Sequence, residues 1–315
     1  HEGLFEKFDG KMTGDYNMPL IVKNNENGVY TTITEAVFNP EYPAAKMVSS
    51  SDGFTAELCG NGTTATVSSP FESPYRLFIT GDLAAIAESS MVTDVAPEPS
   101  DGIDYSFVEP GISAWSWLTS DAEGQQNGEV HKKYIDFAAE MGFTYYTLDG
   151  DWQKQNGPGS ESEWKEIIPN GTEYYDWTDE VLQYAAGKGV KVLAWVHKKN
   201  LEDPDRMNKI LESYKAKGIA GIKVDFFNSE SADTMALYTR IYKKCAELGL
   251  VVNCHGANKP TGEVRTYPNV LAREAIRGDE YWFFGSNNGM KAEQFTIIPF
   301  TRGVTGPADV TESLY

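Results

Sequence analysis

The chain has 315 residues, 41% of them apolar and 12% aromatic, and a formal net charge of −19. That balance suits a globular protein with a large core and excludes a disordered chain. So negative a surface repels nucleic-acid phosphate and anionic lipid, which excludes those partners and leaves a neutral substrate such as a sugar compatible.

In chain order, residues 1–105 read as part of a β-sandwich domain with a linker. Alternating segments at 28–33, 54–58, 63–67 and 75–80 are broken by Gly, Asn, Ser and Pro, as short strands are. Residues 94–110 are polar and Pro-rich and read as surface linker. From 106 to 315 the pattern becomes strand–helix alternation. Strands are expected at 111–117, 145–148, 190–196, 221–227, 251–254, 270–274 and 295–300. Helices are expected at 130–141, 178–188 with Thr178 as N-cap, 204–216 and 232–248. Continuous apolar strands between helices mean parallel βα units buried on both faces. No glycine-rich phosphate loop follows the first strand, and polar residues end nearly every strand. A (β/α)8 barrel, whose strand ends converge on one site, is therefore favoured over an open sheet. A closing helix is not identifiable, and the chain starts at His1-Glu2 without Met, so truncation at both ends is expected. No apolar run of about 20 residues predicts a membrane span. Cys59, Cys245 and Cys254 form neither a disulfide framework nor a zinc pattern.

Asp225 is the sharpest chemical candidate. It sits in Gly221-Ile-Lys-Val-Asp225, where a charge pair interrupts an apolar run. Lys223 and Asp225 are two apart and share one side of a strand. The pair reads either as a nucleophile kept charged by its neighbour or as a buried ion pair. Glu274 and Glu280 could supply the second carboxyl that glycoside hydrolysis needs, or be ordinary surface acids beside Arg273 and Arg277. His197 and His255 end apolar runs and fit either sugar hydroxyls or strand caps. Asp149, Asp151 and Trp152 follow a strand together, as a sugar site or a solvated turn would require. Trp115 offers an indole at the end of the first barrel strand.

These motifs resemble glycoside hydrolase family 97. The resemblance is carried by Thr32-Ile-Thr-Glu-Ala36, residues 111–117, Lys223-Val-Asp225, Lys259-Pro-Thr-Gly262, Arg265-Thr-Tyr-Pro-Asn269 and Pro299-Phe-Thr-Arg302. It implies an N-terminal β-sandwich, a central barrel and a C-terminal β domain that this chain lacks. Inverting members are expected to carry Gly at the position of Asp225 and a Glu base at the position of Gly256. Here both differ, so the resemblance points to the retaining, α-galactosidase branch. Asp225 is then the nucleophile and Glu280 the acid/base. Lys223, His197, Asp149, Asp151, Trp115 and His255 become contacts to an α-linked galactoside. Glu35, Glu274, Glu280 and Asn253 become ligands of Ca²⁺, and the location implied is periplasmic or secreted. An α-glucosidase, a non-catalytic sugar-binding fragment and a Schiff-base lyase using Lys223 are the competing expectations. The last requires a neutral Lys, which a neighbouring Asp225 disfavours.

Overall fold

The computed structural model describes residues 3–5, 14–60, 64–100, 102–117, 122–150, 152–153, 174–282 and 291–311. Six strands come first: β1 (Asp15–Tyr16), β2 (Leu20–Lys23), β3 (Tyr30–Ala36), β4 (Ala45–Ser50), β5 (Gly53–Leu58) and β6 (Tyr75–Gly81). Two short helices follow, α1 (Leu83–Ala87) and α2 (Met91–Asp94). Strands and helices then alternate. They are β7 (Ser113–Trp115), α3 (Ala122–Gln125), α4 (Gly128–Met141), β8 (Tyr145–Leu148), α5 (Thr178–Gly187) and β9 (Lys191–His197). The series continues with α6 (Pro204–Ala216), β10 (Gly221–Asp225), α7 (Ala232–Leu248) and β11 (Val251–Cys254). After these come α8 (Glu263–Thr266), β12 (Val270–Arg273) and α9 (Ala292–Ile297).

The chain divides into two compact units. Residues 1–101, 227–240 and 256–315 form one, and 102–226 with 241–255 form the other. The first unit holds two antiparallel sheets in the orders β1-β4-β5 and β2-β3-β6. In the second sheet Ile33 lies opposite Phe78, and Ala36 opposite Tyr75. Ala36, Leu77 and Ile79 turn inward and pack with Ile86, Val92 and Val304. Met18, Ala45 and Met47 make a separate cluster.

The second unit holds a curled, half-barrel sheet of parallel strands, each of β8 to β11 pairing with its predecessor. All four residues of β8 and six of the seven in β9 are buried. A sheet covered on both faces needs such near-continuous apolar strands. The helices bring their own signals. Asn127 caps α4 by accepting from the Glu129 amide, and Asp203 caps α6 ahead of Pro204. Gly221 opens β10 because a Cβ there would lie 2.4 Å from Val251 Cγ2 and 2.5 Å from the Val251 oxygen.

Three expectations differ from the structure. Residues 64–67 form no strand, since alternation becomes a strand only where a partner accepts its ladder, and Ser68-Ser69-Pro70 follow at once. Residues 295–300 are helical. Ala292-Glu293-Gln294 favour a helix before the apolar run begins, and Pro299 sits in the first turn of Ile298–Phe300, where its missing N–H costs nothing. The N-cap of α5 is Trp177, and Thr178 is its first helical residue.

Candidate active site

Parallel pairing in chain order brings the ends of β7 to β11 side by side. Lys223 is in register with Trp195 on β9 and with Asn253 on β11, and Asp225 is in register with His197. The ladder runs one step further, where the His255 amide donates to the Val224 oxygen at 2.8 Å. Trp115, Asp149, His197, Lys223, Asp225, Asn253 and His255 are thereby gathered at one end of the sheet.

At the centre is one ammonium between two carboxylates. Lys223 Nζ lies 2.6 Å from Asp149 Oδ2 and 3.8 Å from Asp225 Oδ2, and 4.6 Å from the centre of the Trp115 ring. Trp115 Nε1 also donates to Asp149 Oδ2, at 2.5 Å, and the Gly150 amide donates to Oδ1 at 2.7 Å. Asp149 is therefore held on both oxygens. Asp225 is held differently. Its Oδ2 accepts from Trp195 Nε1 at 3.2 Å and its Oδ1 from the Phe226 amide at 2.6 Å. The Asp225 side chain keeps 15% of its surface exposed, against 6% for Lys223 and 3% for Asp149. Among these three charged groups, Asp225 is the one a substrate reaches most readily.

Sequence reasoning did not single out Trp195. The signal was present: Trp195 and His197 are two apart on β9, so both face the side that carries Lys223 and Asp225. His197 Nδ1 accepts from the Lys199 amide at 3.1 Å, which leaves the ring proton on Nε2. The same ring stacks on Phe226 at 5.1 Å between centroids. Phe226 holds φ +65°, an uncommon left-handed conformation for a non-glycine residue.

In the first unit, Glu274 directly follows β12 and is 1% exposed. Its Oε2 accepts from the Gly256 amide at 3.0 Å, and the next residue, Ala275, holds φ +45°. Glu280 is half-buried in the 3-10 turn Asp279–Trp282. Asp151 lies outside the described residues.

The oxygens expected to bind Ca²⁺ are hard donors of the right kind. Glu35, however, is already committed. Its Oε1 lies 2.7 Å from Arg76 Nη1, its Oε2 accepts from Lys259 Nζ at 2.8 Å, and the Ala45 amide reaches both oxygens. Two cations balance one carboxylate, and its lone pairs are taken, so Glu35 does not fit as a calcium ligand. Among the described residues no three His, Cys, Asp or Glu side chains are grouped to hold a metal. Glu274 and Glu280 keep the donor chemistry that suits the ion.

Comparison with known proteins bears on this arrangement. The family model for Glycosyl-hydrolase 97 N-terminal matches residues 2–98, and that for Glycoside hydrolase 97 matches residues 109–276. A probable retaining alpha-galactosidase of Streptomyces bingchenggensis is 29% identical, over 100% of this chain and 48% of its own length. A retaining alpha-galactosidase of Bacteroides thetaiotaomicron is 30% identical, over 79% of this chain and 37% of its own. The chain thus spans about half or less of the curated relatives it matches. A variant of a Glycoside Hydrolase Family 97 enzyme from Pseudoalteromonas sp. strain K8, solved with panose, superposes with a TM-score of 0.85 at 22% identity, covering 96% of this chain and 50% of that one. More than half of the sequence matches the catalytic family model, its first hundred residues match the companion one, and the fold agrees: the chain belongs to glycoside hydrolase family 97.

Proposed function

We propose that this protein is a retaining α-galactosidase whose half-barrel belongs to a (β/α)8 barrel. The observation that carries the reading is the Asp225 carboxylate, accessible at the end of β10, with Lys223, Trp195 and the Phe226 amide directed at it. One Asp225 oxygen attacks the anomeric carbon as the bond to the leaving oxygen breaks. Glu280 gives its proton to that oxygen. The covalent glycosyl-Asp225 ester is then cleaved by water, whose proton returns to Glu280. Lys223 and Asp149, with Trp115, His197 and His255, are assigned to substrate hydroxyls and to the sugar face. The relatives named as retaining alpha-galactosidases support this choice of sugar.

The test is proton NMR of the full-length protein acting on an aryl α-galactoside. The α-anomer is expected first. In Asp225→Ala, turnover should vanish, and azide should restore it with β-galactosyl azide as product. A β-anomer released first by the wild type overturns the assignment of Asp225. Activity on α-glucosides alone replaces the sugar but not the mechanism.

Calcium is proposed for Glu274 and Glu280, with Asn253 as a further oxygen donor and Glu35 left to Lys259. Bound there, the ion would supply positive charge close to the acid/base. Addition of CaCl2 to chelator-treated protein should raise its melting temperature, and Glu274→Gln should abolish the rise. No rise in the wild type removes calcium from the reading.

A further inference from the structure

We propose that Arg302 is a positioning residue for Glu280, acting through a backbone strap at residues 305–311. The inference rests on reading Glu280 as the proton donor.

Arg302 is 1% exposed, and its two terminal nitrogens donate mainly to backbone oxygens. Nη2 donates to the Arg273 oxygen at 2.6 Å and to the Pro307 oxygen at 2.9 Å. Nη1 donates to the Gly306 oxygen at 2.8 Å and to Thr305 Oγ1 at 3.3 Å. One planar group thus joins the end of β12 to the start of the strap. A point charge such as Lys cannot reach four acceptors in such a fork. The strap then runs alongside β12, with Ala308 bridging in parallel to Arg273. At its far end the Thr311 oxygen accepts from the Asp279 amide at 3.0 Å. That amide belongs to the turn that carries Glu280. The approach is close enough that a Cβ on Gly278 would fall 1.7 Å from Thr311 Oγ1. Arg302 therefore fixes the strap at one end, and the strap fixes the turn at the other.

The strand side is equally fixed. The Arg273 side chain pairs with Glu263 at 2.8 Å, donates to Asn258 Oδ1 at 2.6 Å and lies 4.2 Å from the centre of the Tyr238 ring. The segment from Arg273 to Glu280 is thus clamped before and after the strained Ala275. A site held only by its own rotamers drifts, and general acids depend on a surrounding shell for alignment. Burying a charged guanidinium is costly, and the four contacts of Nη1 and Nη2 offset part of that cost. Its place here ties that expense to the one turn bearing a proton donor.

The experiment uses full-length protein, Arg302→Met and Arg302→Lys, and α-galactosides with leaving groups from dinitrophenyl to methyl. A misplaced acid harms substrates that need protonation and spares those that do not. For Arg302→Met, kcat/KM should fall about 100-fold on the methyl glycoside and only a few-fold on the dinitrophenyl one. On the dinitrophenyl substrate kcat and KM should fall together, because the glycosyl-enzyme accumulates. Arg302→Lys should recover part of the loss. Hydrogen exchange should quicken in the peptide covering 273–282. An equal loss on every leaving group means a structural role only and overturns the proposal, as does no loss at all. If Arg302→Met does not fold, Arg302→Lys decides by the same dependence. A wild type that hydrolyses neither this series nor the matching α-glucosides refutes the glycosidase reading itself, and the role of Arg302 with it.

Discussion

Phe226 forces its backbone into the left-handed region so that its amide points at Asp225 Oδ1. Such a conformation costs about 1–3 kcal/mol in a non-glycine residue and persists only where its surroundings impose it. Stacking on His197 is one such constraint. The opposite oxygen depends on Trp195, whose indole N–H is its nearest neutral donor among the described contacts. Trp195→Phe keeps most of the ring and removes that donor. A hydrogen bond to a charged group is worth about 1.5–3 kcal/mol, so kcat should fall roughly 10–100-fold. Steady-state kinetics and the stability of a trapped glycosyl-enzyme would check this. An unchanged kcat would show that the Trp195 contact does not serve the nucleophile. Asp225 and Lys223 were legible in the sequence because a charge pair in an apolar strand is expensive and therefore conspicuous. The commitment of Glu35 to Lys259 was not, since the two are 224 residues apart and no local pattern joins them.

His131 shows how one buried group couples elements. It lies on α4, and its Nε2 donates to the Gln125 oxygen at 2.7 Å while its Nδ1 accepts from Tyr146 of β8 at 2.7 Å. Burial pushes the imidazole down to about 4 from 6.5, and the Gln125 acceptor only partly opposes this. Between those values the unfolded chain binds a proton that the folded chain does not. Stability is therefore full above pH 6.5 and drains away as pH falls toward 4, by about 3 kcal/mol for this group. Urea unfolding of the wild type and of His131→Gln between pH 7 and 4 should show a steeper loss in the wild type. Equal slopes would mean that the histidine titrates alike in the folded and unfolded chains. The long helices α6 and α7 were readable because they carry strong periodicity and clear stops, and the four-residue β8 and β11 because they stand between such helices. The short elements of the first unit were not. β1, β2, β4, α1 and α2 span two to six residues, too few for a period to register, and packing decides them. The apolar run at 295–300 failed for a related reason: β-branched residues argue for a strand, but the helix had already begun at Ala292.

At the scale of the molecule, alternation of strands and helices identified the parallel sheet, and the turn-rich start identified the antiparallel ones. What alternation does not reveal is membership. Residues 227–240 and 256–315 belong to the same compact unit as the first 101, although they follow most of the parallel strands in sequence. Contacts between distant segments decide that, and sequence separation hides them. Family membership was legible for a different reason. All the quoted motifs except Pro299–Arg302 lie within the two matched regions, so their agreement is with a whole arrangement of residues rather than with one local run.

Strand order also governs how the second unit is made. Each of β8, β9, β10 and β11 pairs with the strand synthesised just before it. A chain leaving the ribosome can therefore lay down this sheet in order, every new strand finding its template already in place. Such sequential pairing limits each closure to a single crossover, where a different strand order would need longer ones. Its exposed growing edge is also the risk, because an unpaired strand of this composition is open to another nascent chain. Asp225 emerges on β10, one strand before the edge is covered by β11. The residue proposed to attack the sugar is thus in place before the sheet that frames it is complete.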